Sequence, residues 1–110
     1  MAKKLTIQDI GGVIAKEDER YKVCDNTDLN NLVLSSTDLK ANKSTSGHEH
    51  PGQEEIYFFI RGFGVMEIND KRFDITEGDT VLINDGDFHR VHAGEQGCYF
   101  VCVFDGKRKH

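Results

Sequence analysis

Residues 48–55 read HEHPGQEE, and this short stretch holds two of the chain's five histidines. In extended backbone, side chains two residues apart point the same way, so His48 and His50 can aim their imidazoles at one point. Glu55 follows His50 at the wrong parity for a continuous strand. Pro51 and Gly52 lie between them and supply a bend, after which the carboxylate can face the same interior. His89 comes later, in GDTVLINDGDFHRVHA, where a strand at TVLI and a turn at NDGD would return the chain to that interior. A buried polar side chain left unpaired costs about 1–3 kcal/mol. Three imidazoles and a carboxylate in one small interior must therefore satisfy one another by hydrogen bonds, or share a divalent cation that satisfies all four. A single histidine on an apolar strand is ordinarily a hydrogen-bonded core residue. Two at strand spacing, with a carboxylate beyond a bend, are harder to account for by packing.

The same parity argument sorts the neighbours. EIYFFIRG (55–62) places Glu55, Tyr57, Phe59 and Arg61 on one face and Ile56, Phe58 and Ile60 on the other. Tyr57 is the candidate catalytic group, its hydroxyl able to orient a bound molecule or pass a proton; the alternative is an aromatic that only fills space. Phe59 is expected as an apolar wall of a substrate site. Arg61 is expected inward, near the barrel end, to meet an anionic group, with a salt bridge to one of the many acids as its alternative. Glu54 reads as a solvated rim residue, and His92 and Arg90 fall outside the site.

These residues need elements to hold them. The segments YKVC, NNLVLSS, EIYFFI, GVMEI, KRFDI, TVLIN, FHRVH and CYFVCVF are short, rich in Val, Ile, Phe and Tyr, and partly alternating, which predicts many short strands. NDK at 69–71 and TEGD at 76–79 read as turns between antiparallel neighbours. Only TIQDIGGVIAKEDER near the N-terminus could hold a short helix, and Gly11 and Gly12 weaken it. This pattern implies an all-β sandwich or barrel. Both faces of EIYFFIRG carry large apolar groups, so one can line an interior while the other needs a second layer or a partner subunit, which predicts a homodimer.

At 110 residues the chain fits a single domain, 1–110, with one modest core. A net charge of -5 repels nucleic acid, although the basic tail Lys107, Arg108 and Lys109 could touch phosphate. No apolar run approaches the roughly 20 residues that cross a bilayer, and the start lacks the apolar region of a secretory signal. Cys24, Cys98 and Cys102 are odd in number and form no CxxC pair, which argues against a disulfide framework and fits a reducing compartment. The expectation is a cytoplasmic protein with a small-molecule ligand, Cys98 and Cys102 serving as small buried hydrophobes.

The spacing resembles the cupin family. The first cupin motif, G-x5-H-x-H-x(3,4)-E-x6-G, is matched by His48, His50, Glu55 and Gly62, with Asn42 in place of the opening glycine. The second, G-x5-P-x-G-x2-H-x3-N, is matched by Gly78, Gly86 and His89, with Asn84 and Ala93 at its proline and asparagine. The resemblance covers about residues 30–105. It implies a double-stranded β-helix, or jelly roll, with His48, His50, Glu55 and His89 converging on one divalent transition metal inside the barrel. Three imidazoles and one carboxylate leave two exchangeable positions on an octahedral ion, which suits Mn²⁺, Fe²⁺, Ni²⁺ or Co²⁺, with zinc a further option. The resemblance further implies an enzyme that uses the metal as a Lewis acid on a hydroxy-carbonyl substrate, like the sugar isomerases and epimerases. A non-haem iron dioxygenase and a non-catalytic module that binds metal and small ligand are its alternatives.

Overall fold

The computed structural model describes residues 2–49 and 51–106. The alternating segments form seven strands: β1 (Val13–Glu17), β2 (Tyr21–Asn26), β3 (Leu32–Leu39), β4 (Glu55–Ile68), β5 (Lys71–Thr76), β6 (Thr80–Ile83) and β7 (His89–Asp105). All pairings between them are antiparallel, in the order β1-β2-β3-β7-β4-β5, with β6 on the free side of β4. The turns expected at 69–71 and 76–79 are present.

Two pairs of expected short strands are fused. EIYFFI and GVMEI are one 14-residue strand, β4, and FHRVH and CYFVCVF are one 17-residue strand, β7. Each bends midway, where the β4–β7 register shifts between Phe59 and Arg61 and again between Gly62 and Gly64. The first half of β4 and the second half of β7 pair with each other and carry β6 and β3 on their flanks. The other halves pair with each other and carry β5 and the segment around Ser44 to His48. One sheet is thereby folded on itself into a jelly roll. Inward side chains from both parts, among them Tyr57, Phe59, Met66, Ile75, Ile83, Val91, Phe100 and Cys102, make the core. Burying each large side chain of this kind contributes about 1.5–3 kcal/mol.

No helix forms among the described residues. The N-terminal helix expected from TIQDIGGVIAKEDER is replaced by a turn over 7–11 and then β1. Ile10 and Gly11 both take positive φ, 50° and 60°, which halts a right-handed helix at once. The turn is held down because Ile10 is buried, Asn26 Nδ2 donates to the Ile10 carbonyl at 2.8 Å, and the Tyr99 hydroxyl donates to the Ile7 carbonyl at 2.6 Å. It is the second layer over the outer face of β2, β3 and β7. It leaves Ile56, Phe58 and Leu82 open, at 36%, 38% and 72% exposure, so that part of the outer face is not buried within the chain as the sequence suggested.

Candidate metal centre

His48, Glu55 and His89 reach one place from three elements. Glu55 opens β4, and His89 opens β7. His48 lies on an extended segment hydrogen-bonded backbone to backbone with His89, His48 N–H to the His89 carbonyl at 3.1 Å and the reverse at 2.9 Å. That segment is clasped along its length. Thr45 N–H donates to the Val91 carbonyl, Val91 N–H to Thr45 Oγ1, and Arg90 Nη2 to the Ser46 carbonyl at 2.9 Å. Ser44 Oγ meets His92 Nδ1 at 2.6 Å, and His92 Nε2 meets Glu67 Oε1 at 3.0 Å. The bend between His48 and Glu55 is tied too, through Gly52 N–H to Asp85 Oδ1 at 2.7 Å and Gln53 Nε2 to the Asp105 carbonyl at 2.7 Å. His50 lies outside the described residues, as do Lys107, Arg108 and Lys109.

One ligating atom from each of His48, Glu55 and His89 falls within 4.8 Å of the others. The His89 and Glu55 side chains are almost wholly buried, with Nε2 and Oε1 3.2 Å apart. A carbonyl can only accept, so the 3.0 Å contact of His89 Nδ1 with the Asp87 carbonyl places a proton on Nδ1. Nε2 of a neutral His89 then presents a lone pair to a carboxylate oxygen. Two acceptors at that separation call for a proton or a cation beside them, and the approach of His48 to the same point favours a cation. For metal bonds of about 2.0–2.2 Å, adjacent ligands sit roughly 3 Å apart, the spacing Glu55 and His89 already have. A histidine ligand whose other nitrogen donates to a carbonyl is the usual outer-shell arrangement around a metal. The donor set fits a divalent ion.

His48 and Glu55 border a cavity of about 130 Å³, which Tyr57 also lines, while His89 lies behind its wall against Glu55. The Tyr57 ring is buried, stacked on Phe100 at 5.1 Å and edge-on to His89 at 5.6 Å. Phe59 sits one layer deeper, packed on Tyr57 and Phe100 in the core, and is not part of the cavity wall. Arg61 is a correction to the parity argument. The register shift adds one residue between Phe59 and Arg61, so Arg61 pairs with outward-facing Tyr99 and lays its guanidinium over that ring at 4.4 Å, away from the cavity. Glu54 is exposed as expected, and His92 and Arg90 lie outside the cavity wall. Sequence reasoning missed Lys16, Ser35, Thr37, Thr45 and Ser46, all on the wall. For Ser35 and Thr37 a signal existed: they alternate with Val33 and Leu39 on one face of LVLSSTDL. For Lys16 there was none, since its strand was read as part of a helix.

Known proteins resemble this chain in sequence and in fold. Over 66 residues the chain is 32% identical to the oxalate-binding protein of Thermotoga maritima, covering 59% of this chain and 54% of that one. The chain spans about half the length of the curated relatives it matches. Among solved structures it superposes on a deletion mutant of Bacillus subtilis oxalate decarboxylase with a TM-score of 0.81 at 23% identity, over 91% of this chain and 29% of that one. It also superposes on KdgF from a Halomonas species with a TM-score of 0.78 at 13% identity, over 88% of each chain. The family model described as "Cupin domain" matches residues 36–104, a stretch that contains His48, His50, Glu55 and His89. With the jelly roll and both motifs in place, this chain belongs to the cupin family.

Proposed function

We propose that this chain binds a divalent transition metal through His48, His50, Glu55 and His89 and acts on a small hydroxy-carbonyl molecule, in the manner of a sugar isomerase or epimerase. The observation that carries the reading is the buried approach of His89 Nε2 to Glu55 Oε1 with His48 beside them. A bound divalent ion would supply Lewis acidity toward a carbonyl or hydroxyl oxygen. The protein's own part is positional. Asp87 fixes the tautomer of His89, the clasped segment 44–48 aims His48, and Phe100 and His89 hold the Tyr57 ring where its hydroxyl can take or return a proton.

Manganese titration followed by electron paramagnetic resonance tests the metal. One ion per chain is expected, with Glu55→Gln weakening it at least as much as the 10–100-fold that loss of an outer-shell partner typically costs. An unchanged aqueous manganese signal would refute the site. With metal bound, an aldose–ketose panel tests the reaction: no interconversion would remove the isomerase, and oxygen uptake by the iron-loaded protein would assign the dioxygenase instead. Similarity to an oxalate-binding protein favours a second reading, a non-catalytic metal and ligand module. Oxalate retained unchanged in a native mass spectrum would support it. No helix among the described residues is long and apolar enough to cross a membrane. Three cysteines outside any disulfide suit the reducing cytoplasm, and the open face at Ile56, Phe58 and Leu82 suits a second copy of the chain.

A further inference from the structure

Among the described residues bordering the cavity, Glu55 is the only acid and Lys16 the only lysine or arginine. Lys16 is half-buried on the edge strand β1 and makes no hydrogen bond or ion pair among the described residues. Its register explains its direction. Lys16 pairs with Val23, Val23 with Thr37, and Thr37 with Phe100, and the last three are inward-facing buried residues. The register shift between Ile14 and Lys16 is what turns Lys16 to that side. The wall around it is polar through hydroxyls, with Ser35 and Thr37 from β3 and Thr45 and Ser46 from the clasped segment opposite. An amine stem lying along an apolar wall with its charge in the cavity is a common lysine arrangement, and a lone cation among hydroxyls is a recognition element for a carboxylate.

We infer that Lys16 is a specificity-determining residue: it selects, as this cavity's ligand, a small hydroxy- or keto-acid whose carboxylate it pairs while the neighbouring oxygen turns toward His48, Glu55 and His89. This deepens the metal reading and rests on it, because the local charge then favours an anion. A divalent ion, Lys16 and one carboxylate sum to about +2 inside a chain whose overall charge is -5. Size agrees. A cavity of about 130 Å³ has room for roughly ten water-sized spheres, the scale of a small acid.

Calorimetric titration of the manganese-loaded full chain with glycolate, and with glycolamide as its uncharged counterpart, tests this. Glycolate should bind at least about tenfold tighter than glycolamide. Lys16→Met should abolish that preference without changing manganese stoichiometry or glycolamide affinity, and Lys16→Arg should restore most of it. Glycolate binding unchanged in Lys16→Met, or no preference in the native chain, would overturn the inference while leaving the metal site standing. Should manganese not bind, the functional reading fails by itself. The glycolate preference of the metal-free chain, lost in Lys16→Met or absent from the start, then supports or overturns the role of Lys16.

Discussion

At the scale of single residues, the motif positions act through backbone geometry as much as through ligands. Asn42, standing where the family has glycine, takes φ 60°, so the left-handed conformation is kept by the residue type that accepts it best after glycine. Gly62 sits at the bend of β4 with φ +82°, and a Cβ there would lie 2.2 Å from the Gly97 carbonyl oxygen. Gly78 has φ +94° but nothing within 4 Å of an added Cβ. Strain and clash combine at the first and strain alone acts at the second. Gly62→Ala should therefore destabilise the fold by about 3 kcal/mol and Gly78→Ala by about 1 kcal/mol. Equal denaturation midpoints for the two variants would show that the bend does not depend on this close approach.

At the scale of elements, the ligand-bearing segment 44–48 is only as well placed as its neighbours. One of them is the β1–β2 turn, where Arg20 Nη2 meets Asp18 Oδ2 at 2.8 Å while Nη1 reaches Ser46 Oγ at 2.8 Å. The hydrogen bond from the Arg20 side chain, aided by the Arg20 backbone N–H, lowers the Asp18 pKa from 3.8 to about 2. A carboxylate with a depressed folded pKa contributes stability that is complete above its unfolded value and lost as pH falls through the folded one. The turn should thus loosen as pH falls from about 4 to about 2, measured as faster amide exchange over 17–22 and 44–48. Asp18→Asn should remove that acid-dependent step. The effect will be small and salt-sensitive, since the pair is half-exposed.

At the scale of the whole molecule, the N-terminal turn covers one part of the outer sheet and leaves another open. Leu82 and Ile56 are cross-strand neighbours on β6 and β4, and Phe58 follows two residues after Ile56 on the same face. Three large apolar side chains exposed side by side on the sheet are what a second copy would cover. A dimer mass by light scattering at micromolar concentration is expected. Leu82→Lys, at the most exposed of the three, should weaken association about tenfold or more by burying an unpaired charge. A monomeric mass for the native chain would leave this face without its partner.

Local spacing alone determined the all-β class and the turns at 69–71 and 76–79, because side-chain alternation and turn chemistry act over a few residues. The meeting of His48 and His89, in contrast, was implied by the family motif and is made by their cross-strand bridge. The Pro-Gly bend in HEHPGQEE allowed Glu55 to reach the same place, and hydrogen bonds from the bend to Asp85 and Asp105 hold it there. Only the tertiary structure decided that β4 and β7 each run through a bend as one strand, that one added residue at that bend sends Arg61 outward onto Tyr99, and that a similar shift in β1 sends Lys16 inward. Those outcomes depend on cross-strand register, which is set by partners distant in the chain. A slip of one residue reverses the face of every side chain beyond it.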